Sequence, residues 1–366
     1  MCCRSWSPER AAWLALAALA LVACSDGAAP SPAGSAGSPP AGGAGGGSLA
    51  GNAGSATASG GSETGGAAGS NSAGTGGAAG AAGSIGAGGG QGGAPIVPGP
   101  IKHHVMAIEY PGRLVEISAD GEKLWEHQTP SLTVMFNVLP SGNVFFPHGG
   151  DKRGAQEVDK QHNVVWSYES TAGELLGGER LPNGNSLLGE GGPAQALELD
   201  AAKQVVRQIP VTTTETQAHG QIRHVHRLAS GNVLVSLESE GVARELDPSG
   251  NTVWEFAGVT KIHSAIRLPS GNTLIGGGES KRVIEVTSAG QVAWEFSASD
   301  GPELGLAWIT SVQPLKNGNV LVCNWLGANG GAGVHAFEVT RDKQVVWKLD
   351  DHTLLKSATT VTALDD

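Results

Sequence analysis

The residues of this sequence best suited to chemistry are histidines that border short apolar segments. His263 directly precedes such a segment and His224 lies within another. A neutral imidazole can act as a nucleophile or transfer a proton near neutral pH. We therefore take His263 and His224 as the candidate catalytic residues. The alternative is that both are structural histidines of a strand.

A second set of polar residues stands at or just after the ends of apolar segments and could bind a ligand. These ligand-binding candidates are His148, Glu190, His226, Glu238 and Asn324. Polar groups that converge at a concave mouth are the usual arrangement of a binding site. For the two glutamates the alternative is that they are solvated carboxylates of loops.

The sequence assigns no metal ligands, and the identity of any cofactor stays open. His224 and His226 are two residues apart and imidazoles suit zinc or copper, but no third ligand stands at a fixed spacing. Gly276 to Gly278 follow an apolar segment without opening a helix, so they are not a phosphate-binding loop. Spacing marks no serine as a nucleophile.

A repeated turn sequence defines the elements that must position these residues. Leu-Pro-Ser-Gly-Asn, or a close variant, recurs with anchors 42, 47, 40 and 47 residues apart; the anchors are Asn143, Asn185, Asn232, Asn272 and Asn319. Each copy is followed by an apolar run, a Glu-aliphatic pair and, in most copies, a Trp. A period of about 40 to 50 residues built from short strands is typical of a β-propeller.

Six Glu-aliphatic pairs indicate six blades in residues 101–366; they begin at Glu116, Glu157, Glu198, Glu245, Glu285 and Glu338. In the fourth copy, the turn residues predict strands at 223–228, 233–237, 242–246 and 252–256. Aligning Glu116 on Glu245 places Glu109 on Glu238. The first copy lacks its first strand, and residues 359–364 match that strand. We therefore predict an all-β, six-bladed β-propeller closed by the C-terminal strand, with the repeated Trp packed between blades.

The segment before the propeller has the pattern of an exported, anchored protein. Residues 1–23 combine early arginines with a short apolar run, as a signal peptide does. Leu21 to Cys24 resembles the bacterial lipobox, which implies lipidation of Cys24, and Ser25 favours the outer membrane by the same resemblance. Residues 24–100 are almost entirely Gly, Ala and Ser, which predicts a disordered linker. The expected location is the bacterial cell envelope, with the lipid membrane as a partner through acylated Cys24.

Composition narrows the partners further. The net charge of −11 argues against nucleic acid. Cys323 is the only cysteine of the predicted propeller, so the domain has no internal disulfide, and its apolar context indicates a buried, inert thiol. We expect a monomer.

The units HSAIRLPSGNTLIGGG, from His263, and VIEVTSAGQVAWEF, from Val283, resemble arylsulfotransferase-like propellers of bacteria, which are six-bladed. The Asp-x-x-Gly-x-x-x-Trp pattern from Asp247 to Trp254 is similar to PQQ-like, or quinoprotein-like, repeats. The resemblance covers 101–366 and lies in turn and packing residues. It implies a histidine nucleophile and a histidine acid near the central channel. His263 matches in a comparable place, with His224 and His226 one blade earlier.

The predicted strand order places the candidate residues on one rim of the channel. If the first strand of each blade runs from top to bottom, the Gly-Asn turns lie at the bottom and the candidates lie at the top. We expect a membrane-anchored, extracytoplasmic binding module that takes a protein, glycan or small-molecule ligand at the top rim. The alternatives are an arylsulfotransferase-like enzyme using His263 or His224, and a scaffold for envelope assembly.

Overall fold

Short apolar stretches separated by Gly-containing turns form 24 β-strands in the computed structural model, which describes residues 102–366. The expected signal peptide (1–23), Cys24 and the linker (24–100) lie outside the described residues. Among the residues that the structure describes, no helix is both long and apolar enough to span a bilayer. The helical elements are the short α1 (Ala218–Gln221) and a 3-10 turn at Pro302–Leu304.

The strands are numbered in chain order and pair antiparallel within six four-stranded sheets, the blades. Blade 1 contains β1 (Val105–Glu109), β2 (Arg113–Ile117), β3 (Lys123–Gln128) and the C-terminal β24 (Ala358–Ala363). Blade 2 contains β4 (Asn137–Val138), β5 (Val144–His148), β6 (Gly154–Val158) and β7 (Val164–Glu169). Blade 3 contains β8 (Glu174–Arg180), β9 (Ser186–Gly191), β10 (Gln195–Leu199) and β11 (Val205–Pro210).

The other three blades have the same plan. Blade 4 contains β12 (Ile222–Arg227), β13 (Val233–Leu237), β14 (Val242–Leu246) and β15 (Thr252–Ala257). Blade 5 contains β16 (Ser264–Arg267), β17 (Thr273–Gly276), β18 (Arg282–Val286) and β19 (Val292–Ser297). Blade 6 contains β20 (Ile309–Pro314), β21 (Val320–Asn324), β22 (Ala336–Val339) and β23 (Val345–Leu349).

The C-terminal strand closes the ring, and this confirms the prediction. β24 takes the place of the missing first strand in blade 1 and pairs antiparallel with β1, Val105 opposite Ala363. The fourth copy also has its strands where the turns predicted them, within one residue. The order from channel to rim is therefore the same in all six blades, with the first strand innermost.

The repeated Gly-Asn turn builds a link between neighbouring blades. Gly231 has a φ of +88°, which a glycine adopts without strain, and it lets Asn232 turn back toward its own blade. Asn232 Nδ2 donates to Glu245 Oε1 at 2.7 Å, and Glu245 Oε2 accepts from Arg267 Nη2 of the next blade at 2.7 Å. The same Asn–Glu–Arg link recurs around Glu157 and Glu198. The repeat therefore fixes blade contacts at the bottom face.

The repeated Trp makes a second link, which agrees with its predicted packing between blades. Trp254 Nε1 donates to Ser288 O of blade 5 at 3.1 Å, and Arg267 of that blade lies over the indole at 4.9 Å. Trp125, Trp166 and Trp294 donate to the following blade in the same way. In blade 6, Trp347 packs edge-on against His103 across the closure, with ring centroids 5.0 Å apart.

The core lies between blades rather than in one central layer. One buried cluster joins Leu274 and Phe296 of blade 5 to Ile309 and Phe337 of blade 6, and similar clusters fill other gaps between blades. Cys323 is fully buried in such a cluster and burial raises the pKa of its thiol to about 12, so it is an inert core residue.

Candidate functional site at the top of the channel

A cavity of about 350 Å³ opens at the top face, where first strands begin and second strands end. Five of the six blades supply its lining: Tyr110, Leu132, Val134, His219, Arg223, Glu238, His263, Trp308, Thr310, Trp325 and Thr359. The volume is at the lower end of that of small-molecule sites, roughly 300 to 1,000 Å³. The cavity therefore suits a compact ligand.

One structural position explains much of the lining. The residue directly after the second strand is Tyr110 in blade 1, Glu238 in blade 4 and Trp325 in blade 6, and all three line the cavity. By strand register, the same position is glycine in the other three blades: Gly149 in blade 2, Gly191 in blade 3 and Gly278 in blade 5. Large side chains thus enter from three blades. A Cβ on Gly149 would lie 1.9 Å from Glu174 Oε1, so this glycine makes room for that carboxylate.

The same register corrects the alignment of Glu109 with Glu238. Glu109 is the last residue of β1 and pairs with Arg113, whereas Glu238 lies one residue beyond β13. Blade 1 has a turn of three residues between its second and third strands, and blade 4 has four. Tyr110 is therefore the structural equivalent of Glu238.

A buried guanidinium organises the polar side of the cavity. Arg223 is 5% exposed, and its Nη2 donates to Glu238 Oε2, to His219 Nε2 at 3.2 Å and to His219 O at 3.3 Å. Burial lowers the pKa of Arg223 to about 10, with Glu174 opposing the shift, so the group remains a cation at neutral pH. Its Nε is buried and has no hydrogen-bond partner among the described residues.

A carboxylate fixes the imidazole at the edge of the cavity. His219 Nδ1 lies 2.9 Å from Glu174 Oε2. Because Arg223 can only donate, a neutral His219 accepts at Nε2 and donates from Nδ1 to Glu174. Glu174 Oε1 accepts from the backbone N–H of Gly150 at 2.8 Å. Burial opposes ionisation of Glu174, but the bonds from His219 and Gly150 prevail and lower its pKa.

Aromatic rings form the opposite side. Trp308 and Trp325 lie edge to face with ring centroids 6.0 Å apart, and Tyr110 lies 5.7 Å from Trp325. The imidazole of His263 lies next to these rings, with its centroid 6.4 Å from that of Trp308. The indole nitrogens of both tryptophans are buried and lack hydrogen-bond partners among residues 102–366. This side of the cavity therefore presents aromatic ring surface, while the two indole nitrogens are enclosed by protein.

Asn324 holds the aromatic side in place. Its Oδ1 accepts from the backbone N–H of Ala307 at 2.7 Å and of Trp308 at 3.1 Å, and its Nδ2 donates to Val334 O at 2.9 Å. Trp325 N also donates to Trp308 O at 2.8 Å. Asn324 is fully buried and is not part of the cavity lining. It acts on the site by positioning the two tryptophans.

His263 faces both the cavity and the channel below it. A narrower cavity of about 210 Å³ continues along the axis and shares Val134, Arg223, His263 and Thr310 with the upper one. Burial, reinforced by nearby Arg223, holds the pKa of His263 well below its usual value. The imidazole is therefore neutral at physiological pH.

His224 and His226 lie lower in the channel. Their rings are 4.9 Å apart, and both line the narrower cavity. Burial, with His226 adding to it, lowers the pKa of His224 to about 3, and its Nδ1 has no hydrogen-bond partner in the described part of the chain. Burial acts against the charged form of His226 as well, but the bond to Glu179 at 2.5 Å outweighs it and raises that pKa.

Two further candidates lie within blades rather than at the cavity. His148 ends β5, is buried and bonds through Nδ1 to Lys152 O of its own blade. Glu190 lies in β9 and accepts from Ser170 Oγ at 2.6 Å and Gln195 Nε2 at 2.8 Å. Neither lines either cavity. The structure brings together His263, His224, His226 and Glu238 along one axis.

Sequence reasoning missed Arg223, Glu174, Tyr110 and Trp308 as site residues. A usable signal existed for the tryptophans, because Trp308 and Trp325 are the two in residues 102–366 that fall outside the repeated Trp position. Tryptophans that a repeat does not explain mark a site. No comparable signal marked Arg223 and Glu174, whose partners come from other loops.

No group of three or more His, Cys, Asp or Glu side chains in the described residues is arranged to hold a metal ion. In particular, His224 and His226 have no third ligand of these types within residues 102–366. The polar groups of the cavity can bind a ligand by hydrogen bonding.

Comparisons with known proteins support the fold. No protein-family model matches the sequence, and no curated protein matches it. A protein of unknown function from Bacteroides caccae superposes with a TM-score of 0.65 at 22% identity, over 73% of this chain and 100% of that one.

More distant structures include virginiamycin B lyase from Staphylococcus aureus, with a TM-score of 0.48, 12% identity and coverage of 67% and 83% of the two chains. The WD40 propeller domain of Doa1 gives a TM-score of 0.43 at 12% identity over 62% and 90%. At 22% identity, the similarity to the Bacteroides caccae protein supports the fold alone. The chain is therefore a six-bladed β-propeller, similar in fold to the Bacteroides caccae protein.

Proposed function

We propose that the chain is a binding module whose top-face cavity takes a small ligand. The propeller architecture suits a binding or scaffold role, and the cavity favours binding. The observation that carries the proposal is the convergence of polar side chains and aromatic rings from blades 1, 4, 5 and 6 on one cavity of about 350 Å³. Such convergence is the usual mark of a ligand site.

The site is organised before a ligand arrives. Arg223 is held by Glu238 and His219, and His219 by Glu174. Trp308 and Trp325 are held by backbone bonds and by Asn324. Groups fixed in this way lose little conformational entropy on binding, which supports affinity from a small contact area.

A small-molecule screen tests this proposal. Ligands should raise the melting temperature of residues 102–366 and alter tryptophan fluorescence, and Trp325→Ala should abolish both responses. Trp166→Phe, on the outer strand of blade 2, is the matched control and should keep them. If hits bind the Trp325→Ala variant as well as the parent, the cavity is not the site. A screen without any hit, followed by capture of a folded protein partner on the top face, would favour the scaffold alternative.

The enzyme alternative rests on His263. A neutral, buried imidazole at the junction of the two cavities has the form needed of a nucleophile, and the sequence resembles arylsulfotransferase-like propellers at this residue. In that reaction the imidazole would attack the sulfur of an aryl sulfate, take up the sulfuryl group and release the phenol. Incubation with an aryl sulfate should then add the mass of one sulfuryl group, absent in His263→Ala. Without adduct and turnover, the enzyme alternative is rejected.

The anchor is part of the same proposal. Leu21 to Cys24 resembles a lipobox, and the Gly/Ala/Ser-rich residues 24–100 would let the domain reach away from an outer membrane. Cys24→Ser should move the protein from the membrane fraction to the soluble fraction of the envelope, because the acyl chains are lost. Equal partitioning of variant and parent would show that Cys24 is not the anchor.

A further inference from the structure

We propose that His127 and His162 form a binding site for one divalent transition-metal ion in the gap between blades 1 and 2. The imidazole Nδ1 atoms of the two residues lie 3.3 Å apart. His127 lies on the outer strand β3, and His162 lies in the turn between β6 and β7 of the next blade. This site is separate from the top-face cavity and does not depend on the proposed function.

The internal repeat shows that both histidines depart from the plan of the blades. Two residues after the repeated Trp position, every other blade has an apolar or aromatic residue: Tyr168, Ile209, Phe256, Phe296 and Leu349. Four residues before that position, every other blade has glycine or lysine at a positive φ: Gly121, Lys203, Gly250, Gly290 and Lys343. Histidine thus occurs once at each position, and the two departures meet across a single gap. Apolar packing and a left-handed turn do not by themselves require an imidazole at either place.

The spacing of the two imidazoles suits a shared metal ion. Two nitrogens that each lie about 2.0–2.1 Å from a tetrahedral ion are about 3.3–3.4 Å apart. The observed separation of the Nδ1 atoms is 3.3 Å, and the planes of the two rings are 12° apart. An ion near that common plane can therefore accept a lone pair from each Nδ1 after small rotations of the rings. The alternative for this pair is an N–H···N hydrogen bond between the imidazoles.

Both rings are held in place before an ion binds. Trp125 lies parallel to His127 and to His162, with centroid separations of 5.7 and 5.4 Å. Its Nε1 donates to Lys160 O at 3.0 Å, and this bond ties the strand that carries His127 to the turn that carries His162. Ligands that are fixed in this way lose little conformational entropy when they bind.

The surroundings of the pair are compatible with a positive ion and open to solvent. The ammonium group of Lys160 is paired with Glu116, and Asp159 adds a negative charge to the turn that carries His162. His162 is exposed and His127 is half-buried, so an ion can enter from solvent. Within residues 102–366, no third His, Cys, Asp or Glu side chain completes the site. Water or a small external ligand therefore fills the remaining coordination positions, as in other open sites.

Two imidazoles and water define the class of ion. Imidazole suits zinc, copper and nickel, whereas magnesium and calcium prefer oxygen ligands. For the same ligands, affinity rises from Ni²⁺ to Cu²⁺ and falls again to Zn²⁺. We therefore expect Cu²⁺ to bind most tightly and Mg²⁺ not to bind. An ion held by both blades also stabilises the folded protein, because the unfolded chain does not keep the two imidazoles together.

The test is a titration of the purified, chelator-treated protein, without a polyhistidine tag, with Cu²⁺, Ni²⁺, Zn²⁺ and Mg²⁺ alone. Calorimetry should show one saturable site for each of the first three ions and none for Mg²⁺. Electron paramagnetic resonance of the Cu²⁺ complex should show coupling to the nitrogens of two imidazoles, a signal that a purely structural role would not produce. The melting temperature should rise with the concentration of each ion that binds.

Two variants return the site to the plan of the other blades. His127→Phe introduces the residue of blades 4 and 5, and His162→Gly introduces the residue of blades 1, 4 and 5. Both should therefore fold with a metal-free melting temperature close to that of the parent; if His127→Phe fails to fold, His127→Gln replaces it. Each should weaken Cu²⁺ binding by at least about 10-fold, because one of two protein ligands is lost. His352→Gln is the control, since His352 is exposed and lies beside His335 in blade 6.

Each outcome supports or overturns the site. One Cu²⁺ ion per chain, weakened in both His127→Phe and His162→Gly and kept in His352→Gln, supports it. Absence of saturable binding, or binding that neither variant changes, overturns it, and the pair is then a hydrogen bond between blades. Binding that only one of the two variants weakens overturns the shared site, because the ion would then have a different second ligand. Binding lost in His352→Gln would place the ion in blade 6 and overturn the proposal as well.

Discussion

Single carboxylates hold neighbouring blades together at the bottom face. Glu245 accepts from the turn asparagine of its own blade and from an arginine of the next, so one side chain joins two sheets. Charge-assisted bonds of this kind, shielded from solvent, are stronger than exposed ion pairs. The turn, the glutamate and the arginine therefore recur together because they form one unit of contact.

Removing the carboxylate of Glu245 should lower the free energy of unfolding. Glu245→Ala leaves Asn232 and Arg267 without their common acceptor, and we expect the free energy of unfolding to fall by about 2–3 kcal/mol. Glu255→Ala is the control, because Glu255 forms an exposed pair with Arg244 and its loss should cost below about 1 kcal/mol. Chemical denaturation of the two variants measures both. Equal losses would mean that the recurring glutamate is no more than a surface charge.

Buried neutral histidines make stability depend on pH. The folded-state pKa of His224 is about 3, against an ordinary value near 6.5, because the ring is buried beside His226. Below pH 6.5 the unfolded chain binds a proton there and the folded chain does not. The stabilisation is therefore fully present above pH 6.5 and is lost as pH falls toward the folded pKa.

His224→Asn removes this one contribution. Between about pH 4 and 6, the free energy of unfolding of the parent should fall more steeply with decreasing pH than that of the variant, by about 1.4 kcal/mol per pH unit. Denaturant titrations at several pH values measure the two slopes, so a change in absolute stability does not affect the comparison. Parallel slopes would show that His224 is charged in the folded protein.

At the scale of elements, the outer strand of one blade is secured by the next blade. Trp254 on β15 donates across the gap to Ser288 and lies under Arg267. This arrangement explains why tryptophan recurs on a strand that is otherwise half exposed. The indole covers apolar surface, and its N–H reaches a turn that carries a free carbonyl.

Trp254→Phe keeps most of the packing and removes the donor. We expect destabilisation of about 1 kcal/mol from the lost hydrogen bond and the weaker contact with Arg267. Val253→Ala is the neighbouring control; Val253 is 53% exposed, and the change should stay within about 0.5 kcal/mol. Thermal or urea unfolding distinguishes the two. If Val253→Ala destabilised the protein as much as Trp254→Phe, the loss would come from general changes in β15 and not from the contact of Trp254 with blade 5.

The strands were predictable, and the side chains that meet at the cavity were predictable only in part. Asn232, Glu245 and Trp254 recur, so turns, strands and blade contacts could be read from their spacing. That spacing gives the height of a residue in its blade but not its distance from the axis. His148 and Glu190 stand at the predicted height but remain within their second strands. Glu238, one residue beyond such a strand, reaches the cavity.

The pairs that define the cavity lie beyond what a single sequence shows. His219 meets Glu174 of the preceding blade, and Tyr110 of blade 1 meets Trp325 of blade 6. These contacts follow from closure of the ring, which brings distant loops to one face. No local motif encodes these contacts. The sequence could therefore indicate which residues lie at the top face but not which of them contact each other.

At the scale of the whole molecule, stability depends on closure by β24. Deleting residues 356–366 removes the first strand of blade 1, including the buried Ala358 and Val361, and exposes the edge of β1. We expect a drop in melting temperature of many degrees together with aggregation, because an open strand edge pairs with other chains. Light scattering and calorimetry on purified protein measure both. A monomeric truncation with unchanged melting temperature would show that blade 1 is stable with three strands.

The position of β24 also has a consequence for biogenesis. Blades 2 to 6 are each built from consecutive strands, so each can assemble as the polypeptide emerges. Blade 1 lacks its innermost strand until β24, the last strand of the chain, has been synthesised. A nascent chain therefore carries an unfinished seam throughout translation. The ring becomes complete in a single late step that joins the earliest and latest strands of the propeller.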